Sequence, residues 1–202
     1  MQLLDQLIDL ALLEDVGPGD ITTDHIVPKD QAGRGTITAK EPLIVAGLDV
    51  AEAVFRRLDA NAVCASTFKD GDKAAKGDVV LTISGTLHSL LKGERTALNF
   101  LQRLCGIATH VRSYVDLLPD DSVKLTDTRK TTPGWRALEK YAVRVGGAYN
   151  HRMALYDGVL IKDNHIAVSG GILFAVAKVR RHVSHLVKIE AAVLNSSIPL
   201  SE

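Results

Sequence analysis

Apolar residues at the start of the chain recur every three or four positions. From residue 2 to residue 14 this spacing predicts an amphipathic helix, and the Gly-Pro-Gly run at 17–19 ends it. A second helix is predicted at 48–58, where valine, alanine and leucine again share one side. The aspartates and threonines at 20–24 form a polar loop between them. Such a loop can bind a cation, but we interpret it as a turn and a helix cap.

Strand-like runs separate these helices from a longer one. They lie at residues 35–39, 43–45, 62–68 and 79–84. Glycine-aspartate pairs at 71–72 and 77–78 predict turns, so residues 69–85 resemble the hairpin of lipoyl or biotinyl carrier domains. Those carriers need an exposed modifiable lysine in a specific motif at a tight turn, and the segment has none. We therefore interpret it as a structural hairpin, with a carrier domain as the weaker alternative.

The longest predicted helix covers residues 90–107. Its apolar ridge consists of Leu91, Ala97, Leu98, Leu101 and Leu104. Gly106 and the polar run at 108–112 then predict a boundary between domains, which we place at residue 108.

From residue 123 the pattern changes to strand, loop, helix, strand. Strands are predicted at 123–126, 153–155, 159–161 and 186–189, and helices at 137–145 and 171–182. The first of these helices is closed by Gly146-Gly147. Strands that alternate with helices predict parallel βα units, which bind ligands at the carboxyl ends of their strands. The charged side chains that fall there are Asp127, Arg129, Lys130, Lys162 and Glu190.

Positive charge concentrates in residues 123–165. The whole chain has a formal net charge of zero, but this stretch has eight lysines and arginines against four acids. A small polyanion is therefore the expected ligand. Arginine forks and lysine ammonium groups suit two carboxylates or a diphosphate, and the runs that offer them are 128–132 and 151–152. Lys140 and Arg144 lie four apart on a predicted helix, and we interpret them as solvent-facing.

Composition argues against several other classes. A net-neutral chain lacks the broad basic surface of non-specific nucleic-acid binding, and no stretch approaches the roughly 20 apolar residues of a membrane span. The start of the chain lacks a secretory signal.

Cys64 and Cys105 have no C-x-x-C spacing, so we expect reduced, buried thiols and a cytoplasmic protein. His182 and His185 have a metal-binding spacing without a third ligand, and we interpret them as surface residues.

Common nucleophilic and nucleotide-binding motifs are also missing from the sequence. It shows no Ser-His-Asp or Cys-His arrangement for covalent hydrolysis, and neither G-x-x-x-x-G-K-[ST] nor G-x-G-x-x-G occurs. A site rich in cations and poor in nucleophiles favours stabilisation of a leaving pyrophosphate.

Motifs in collinear order over about residues 1–190 carry a family resemblance. They are EDVGPGDITT at 14–23, GERTALNFLQRLCGIAT at 93–109, DTRKTTPGWR at 127–136, EKYAVRVGGAYNHR at 139–152 and LIKDNHI at 160–166. Together they closely resemble the quinolinate phosphoribosyltransferases, also called nicotinate-nucleotide pyrophosphorylases (carboxylating). The molybdenum-transport-associated ModD proteins are similar to this family and are the nearest alternative.

The resemblance implies an α/β fold with two domains. Residues 1–108 would form an N-terminal α+β sandwich domain, and residues 109–190 the first part of an open parallel α/β barrel. The implied reaction joins quinolinate to phosphoribosyl pyrophosphate with Mg²⁺, releases pyrophosphate and carbon dioxide, and makes nicotinate mononucleotide for NAD synthesis. The implied assembly is a homodimer or larger, in which the N-terminal domain of one subunit caps the barrel of another.

The same motifs imply roles for individual residues. The substrate-binding residues would be Arg95, Thr128, Arg129, Lys130, His151, Arg152 and Lys162, and the catalytic ones Lys130, Lys162 and Glu190. Arg95 would reach the partner subunit's site. Arg129, His151 and Arg152 would hold the quinolinate carboxylates, whereas the two lysines would face the phosphates. We interpret His165 as a structural hydrogen-bonding residue and assign no metal ligands.

The chain departs from the family pattern in its last part. Ala148 stands where the family commonly has glycine, and Ala192 replaces the second of two acids, which would help to hold ribose and magnesium. Only about three βα units are found, against about eight in a closed barrel, so we expect an incomplete barrel with an atypical tail at 191–202.

Two hypotheses about function follow from the resemblance and these departures. The chain is a subunit of the enzyme, or it is a catalytically impaired fragment or isoform that binds quinolinate or pairs with a full-length subunit.

Overall fold

A computed structural model of the chain describes residues 2–120 and 122–192. These residues form two compact units, which divide between His151 and Arg152. Most of the predicted atypical tail, residues 193–202, lies outside the described residues. None of the described helices has the length and apolar content that a bilayer crossing requires.

Helices and short antiparallel strands build the first unit. Its helices are α1 (Gln2–Asp15), α2 (Thr23–Ile26), α3 (Leu48–Leu58), α4 (Leu87–Val115) and α5 (Arg136–Val145). Its strands are β1 (Ala32–Thr38), β2 (Leu43–Ile44), β3 (Val63–Ala65), β4 (Lys73–Ala74) and β5 (Val79–Thr86). The predicted helix at 48–58 is confirmed residue for residue. Asp20 accepts hydrogen bonds from the backbone of Thr22 and Thr23 at 3.0 Å, which confirms the predicted turn, although the short helix α2 after it was not predicted.

The strands of the first unit pair in two sheets, and the predicted hairpin at 69–85 is wrong. Strand β5 pairs with β1 and β3, whereas β4 pairs with β2. The two glycine turns do not close a hairpin. The Gly71 N–H donates to Val45, directly after β2, and the Gly77 N–H donates to Ala39, directly after β1. Both glycines have positive φ, at 100° and 96°, which other residues adopt at a cost.

Helix α4 forms the centre of the first unit. Ala97, Phe100 and Leu104 on this helix are at most 1% exposed. Gly93 allows helix α3 to pack closely, because a Cβ there would lie 2.9 Å from Cδ1 of Phe55. Phe100 in turn stacks on the ring of Trp135, with 4.8 Å between centroids. The helix therefore connects the core of the first unit to the segment that precedes α5.

Helix α4 is longer than its predicted range of 90–107. The polar run at 108–112 continues it, because the buried side is maintained by Ala108, which is fully buried. The predicted domain division at residue 108 falls inside this helix and stays a prediction. Helix α5 packs against the same stretch, since a Cβ on Gly146 would lie 2.7 Å from the Ala108 carbonyl oxygen. The predicted strand at 123–126 is reduced to one parallel bridge between Thr126 and Tyr149.

The second unit contains a parallel βα arrangement. Its elements are β6 (Val159–Ile161), α6 (Asp163–Ser169), α7 (Ile172–Arg180) and β7 (Ile189–Ala191). Strands β6 and β7 pair in parallel, which confirms the predicted βα units and the α/β class. Helix α6 was not predicted.

Two predicted strands of the second unit differ from the structure. The strand at 153–155 is wrong, because Asp157 accepts the backbone N–H groups of Met153 and Ala154 in a turn. The strand at 186–189 begins later, since a turn at Ser184 accepts the Val187 N–H at 3.0 Å. Glu190 consequently lies within β7 and not after it.

Candidate active site

A loop rich in cations follows the bridge at Thr126. We call residues 127–132 the cation loop; it contains the predicted site residues Thr128, Arg129 and Lys130. The loop is compact, since the Lys130 N–H donates to the Thr128 hydroxyl at 3.0 Å. Hydrogen bonds connect each end of the loop to helix α5.

A buried ion pair fixes the start of the cation loop. Lys140 on α5 pairs with Asp127, and their side chains are 1% and 7% exposed. The Lys140 ammonium also donates to the His151 carbonyl at 3.1 Å, and Asp127 accepts the His151 N–H at 2.8 Å. Asp127 and Lys140 thereby link His151 to the start of the loop that contains Thr128, Arg129 and Lys130. The prediction that Lys140 faces solvent is wrong, because Asp127 supplies a buried counter-charge; Arg144 is exposed as predicted.

A second ion pair fixes the end of the cation loop. Arg103 on α4 donates to Glu139 at 2.6 Å and to the Thr132 hydroxyl at 2.7 Å, and the other Glu139 oxygen accepts the Thr132 N–H at 3.2 Å. Burial raises the pKa of the Glu139 carboxyl, but the hydrogen bonds from Arg103 and Thr132 outweigh it, so the pKa lies below its ordinary value. Glu139 is therefore ionised at neutral pH.

A cavity of about 200 Å³ borders the cation loop. Its lining residues are Arg103, Ile107, Asp127, Thr128, Lys130, Thr131, Glu139, Lys140 and Val143. Both acids there are taken by Lys140 and Arg103, whereas neither Lys130 nor Arg129 forms an ion pair with any described residue. The Nε of Arg129 is buried and donates to no described acceptor. The middle of the loop thus has positive charge available for a small anion.

A larger cavity of about 640 Å³ lies elsewhere in the first unit. It runs along α4 and strand β1, with Leu98, Leu101 and Ile37 among its apolar lining. None of the predicted site residues lines it. Because an anionic ligand needs the cations, the smaller cavity is the better candidate.

The second unit contains the remaining predicted site residues apart from Arg95. Arg152 donates from Nη1 to the Gly158 carbonyl at 2.9 Å, while its buried Nε donates to no described acceptor. Lys162 follows β6, has an exposed side chain, and directly precedes α6. Its backbone N–H donates to Nδ1 of His165 at 3.0 Å, which confirms the predicted structural role of that histidine. Glu190 is exposed on β7.

Arg95 lies in the first unit, away from the cation loop in sequence. It is exposed on helix α4, two residues after the buried Gly93. Sequence reasoning missed Asp127 as an anchor, together with Arg103, Glu139 and Lys140. A signal for Glu139 was available, because it precedes the buried Ala142 by one helical turn.

Comparisons with known proteins identify the family. The profile described as "Quinolinate phosphoribosyl transferase, N-terminal domain" matches residues 20–105, and the corresponding C-terminal profile matches residues 107–197. The chain is 48% identical over 190 residues to the probable nicotinate-nucleotide pyrophosphorylase (carboxylating) of Bacillus subtilis, covering 94% of this chain and 65% of that protein. A Synechocystis relative with the same name is 42% identical over 96% of this chain and 65% of its own length.

Solved structures agree with the sequence comparisons. NadC from Streptococcus pyogenes is 45% identical, with a TM-score of 0.91 over 94% of this chain and 67% of its own. The nicotinate-nucleotide pyrophosphorylase from Francisella tularensis is 38% identical, with a TM-score of 0.91 over 96% of this chain and 69% of its own. The chain spans about 65% of the length of the curated bacterial relatives it matches. It belongs to the quinolinate phosphoribosyltransferase family.

Proposed function

We propose that this chain binds quinolinate and takes part in its conversion to nicotinate mononucleotide. The phosphoribosyl group comes from phosphoribosyl pyrophosphate, and the products also include pyrophosphate and carbon dioxide. The observation that carries the proposal is the pair of cations in the middle of the cation loop, Arg129 and Lys130, which have no acid partner among the described residues. A dicarboxylate is the type of ligand that such a site attracts.

Carboxylate binding is assigned to arginine and histidine side chains. Arg129, His151 and Arg152 hold the two quinolinate carboxylates, with Thr128 and Lys162 as further polar contacts. An arginine can give a carboxylate two parallel N–H bonds. The buried Nε atoms of Arg129 and Arg152, which donate to no described acceptor, support this assignment, because a buried donor without an acceptor is costly until a ligand satisfies it.

Catalysis is assigned to charge stabilisation. The quinolinate ring nitrogen forms a bond to the ribose anomeric carbon as the bond to pyrophosphate breaks, and the pyrophosphate gains negative charge. Lys130 and Lys162 stabilise that charge in the transition state more than in the ground state. The ring nitrogen is then quaternary, so the bond to the 2-carboxylate can break as carbon dioxide leaves. The electron pair of that bond stays on the ring carbon, which then takes up a proton from water.

Magnesium is assigned to the phosphates of the substrate. Among residues 2–120 and 122–192, no group of three or more His, Cys, Asp and Glu side chains is arranged to hold a metal ion. A magnesium ion commonly keeps several waters and binds substrate phosphates together with one or two carboxylates. Glu190 is the described acid that we assign to the ribose and magnesium side of the site.

We further propose a cytoplasmic homo-oligomer in which subunits share sites. The exposed position of Arg95 on helix α4 supports a role in the site of a partner subunit. Two exposed apolar residues of α7, Leu173 at 81% and Phe174 at 63%, support association. Both cysteines are free thiols, Cys105 buried and Cys64 half-buried, which suits a reducing compartment.

A second candidate function is quinolinate binding without transfer. It is favoured by Ala192, which stands where the family has the second acid of the ribose and magnesium side. Pairing with a full-length subunit would supply that side. Quinolinate binding and pyrophosphate release therefore have to be measured separately.

Calorimetric titration of the purified chain with quinolinate, and with nicotinate as the monocarboxylate control, tests the binding proposal. Quinolinate should bind at least about tenfold more tightly, because nicotinate leaves cations without a partner. Arg152→Ala should abolish quinolinate binding without unfolding the chain. Arg144→Ala, at an exposed arginine, should leave quinolinate binding unchanged. Equal affinity for the two ligands would refute the proposal. Pyrophosphate release with phosphoribosyl pyrophosphate and Mg²⁺ then distinguishes the enzyme from the binding-only candidate.

A further inference from the structure

The Asp127–Lys140 ion pair has no part in the reaction proposed above. Burial of both charges is not in itself stabilising, since an ion pair in the interior loses the hydration of both partners. The pair nevertheless contacts one residue from two sides. The Lys140 ammonium donates to the His151 carbonyl, and the Asp127 carboxylate accepts the His151 N–H. The pair thus joins α5 and the cation loop to both backbone groups of His151.

Both backbone groups of His151 bond to this pair. It follows the parallel bridge at Tyr149 and lies outside the described helices and strands, where side chains can satisfy backbone N–H and C=O groups in place of a ladder. Asn150 extends the network in the amide orientation that gives its side-chain oxygen and nitrogen suitable partners. In that orientation the nitrogen donates to Asp127 at 3.0 Å and to the Lys140 carbonyl at 2.9 Å. The backbone from Asn150 to His151 is therefore fixed by Asp127 and Lys140 together.

We propose that Lys140 is a positioning residue, which orients His151 for binding a carboxylate of the substrate. The inference rests on the proposed function, in which His151 contacts quinolinate. Lys140 acts through the His151 carbonyl and through Asp127. A displacement of about 1 Å in a positioned group can cost about 100-fold in activity, so loss of these bonds should reduce ligand selectivity strongly.

Three variants test the role of Lys140. Lys140→Met removes the ammonium group from a side chain of similar length and leaves the Asp127 charge buried without its partner. The double variant Asp127→Asn with Lys140→Met removes both charges and keeps an oxygen that can accept the His151 N–H. Lys76→Met is the matched control, because Lys76 is an exposed lysine of the same unit, in the turn before β5.

Hydrogen exchange of the His151 amide and ligand selectivity are the two measurements. Exchange should be at least about tenfold faster in Lys140→Met, and selectivity for quinolinate over nicotinate should fall about tenfold or more. In the double variant the thermal midpoint should recover towards the wild-type value, because no buried charge lacks a partner. Its selectivity should stay low, because methionine cannot donate to the His151 carbonyl. Lys76→Met should match the wild type in both measurements.

A purely structural role predicts the opposite result for the double variant. Recovery of both stability and selectivity there would overturn the proposal, as would unchanged selectivity in a folded Lys140→Met protein. If Lys140→Met does not fold, the double variant alone decides. Should the wild-type chain not discriminate quinolinate from nicotinate, the proposed function fails. The exchange rate of the His151 amide then still decides whether Lys140 positions that residue.

Discussion

Replacement of Glu139 by glutamine tests how the cation loop is held in place. Glu139 accepts hydrogen bonds from Arg103 and from the Thr132 N–H with different oxygens. A glutamine has one acceptor oxygen, so it can satisfy only one of the two donors, and its NH₂ group faces the other. The substitution changes charge and hydrogen bonding while it leaves the size of the side chain nearly the same.

The expected cost is about 1–2 kcal/mol in the free energy of unfolding at pH 7. A hydrogen bond to a charged group contributes about 1.5–3 kcal/mol. The Glu139 side chain is 10% exposed, but that of Arg103 is 50% exposed, so water screens the ion pair and the lower part of the range applies. Chemical denaturation measures the difference. Glu94→Gln, at an exposed acid on helix α4, is the control and should change the free energy by less than about 0.5 kcal/mol.

The stability difference between the wild type and Glu139→Gln should depend on pH, and the pKa of Glu139 gives the direction of that dependence. Folding lowers the pKa of Glu139 below its ordinary value of 4.5, so the wild-type advantage is fully present above that pH. It is lost as the pH falls through the folded-state pKa, because the carboxyl then becomes protonated in both states. The difference between wild type and Glu139→Gln should therefore be constant from about pH 7 to about pH 5.5 and shrink in more acidic solution. Equal stabilities at pH 7, or a difference that does not shrink in acid, would refute the reasoning.

Two further predictions concern packing and hydrogen bonding in the first unit. Gly146→Ala should destabilise the chain by about 1–3 kcal/mol, because the new Cβ would lie 2.7 Å from the Ala108 carbonyl oxygen. Gly106→Ala should instead stabilise the chain by about 0.5–1 kcal/mol, because Gly106 lies within helix α4 and its Cβ would have no atom within 4 Å. Equal effects of the two substitutions in chemical denaturation would contradict the packing of α5 on α4. Tyr141 donates to Asp70 at 2.5 Å, and burial, followed by this bond, raises the pKa of its phenol. Ultraviolet titration should show a tyrosine transition above the ordinary pKa of 10.0, and Tyr141→Phe should remove that transition.

Local patterns predicted the helices of the first unit better than its strand pairing. The helix at 48–58 was predicted in full because its apolar residues lie on one side, and Val54 and Phe55 are indeed buried. The hairpin failed for a different reason. Strand β5 finds its partners in β1 and β3, and pairing between strands distant in the sequence leaves no signal in either strand alone. The strand predicted at 123–126 is only a parallel bridge between Thr126 and Tyr149, because the sequence of one strand does not show how far its partner extends.

The cation loop was visible in the sequence, but its supports were not. An excess of cations over acids in residues 123–165 pointed to the loop. Lys140 was predicted to face solvent because a lysine on a helix is usually solvated. Its buried partner, Asp127, lies 13 residues earlier in the sequence. The identity of a partner at that distance depends on how the loop folds back onto α5. Sequence spacing on the helix therefore could not reveal it.

The adjacent pair Glu139-Lys140 explains how a net-neutral chain can present free positive charge. Glu139 binds the end of the cation loop together with Arg103, and Lys140 binds its start through Asp127. Each acid near the loop thus already has a cation from a helix. The cations of the loop itself, Arg129 and Lys130, are consequently left without acid partners among the described residues. Charge balance over the whole chain and a local surplus at the cavity are compatible, because the helices neutralise the acids that would otherwise neutralise the loop.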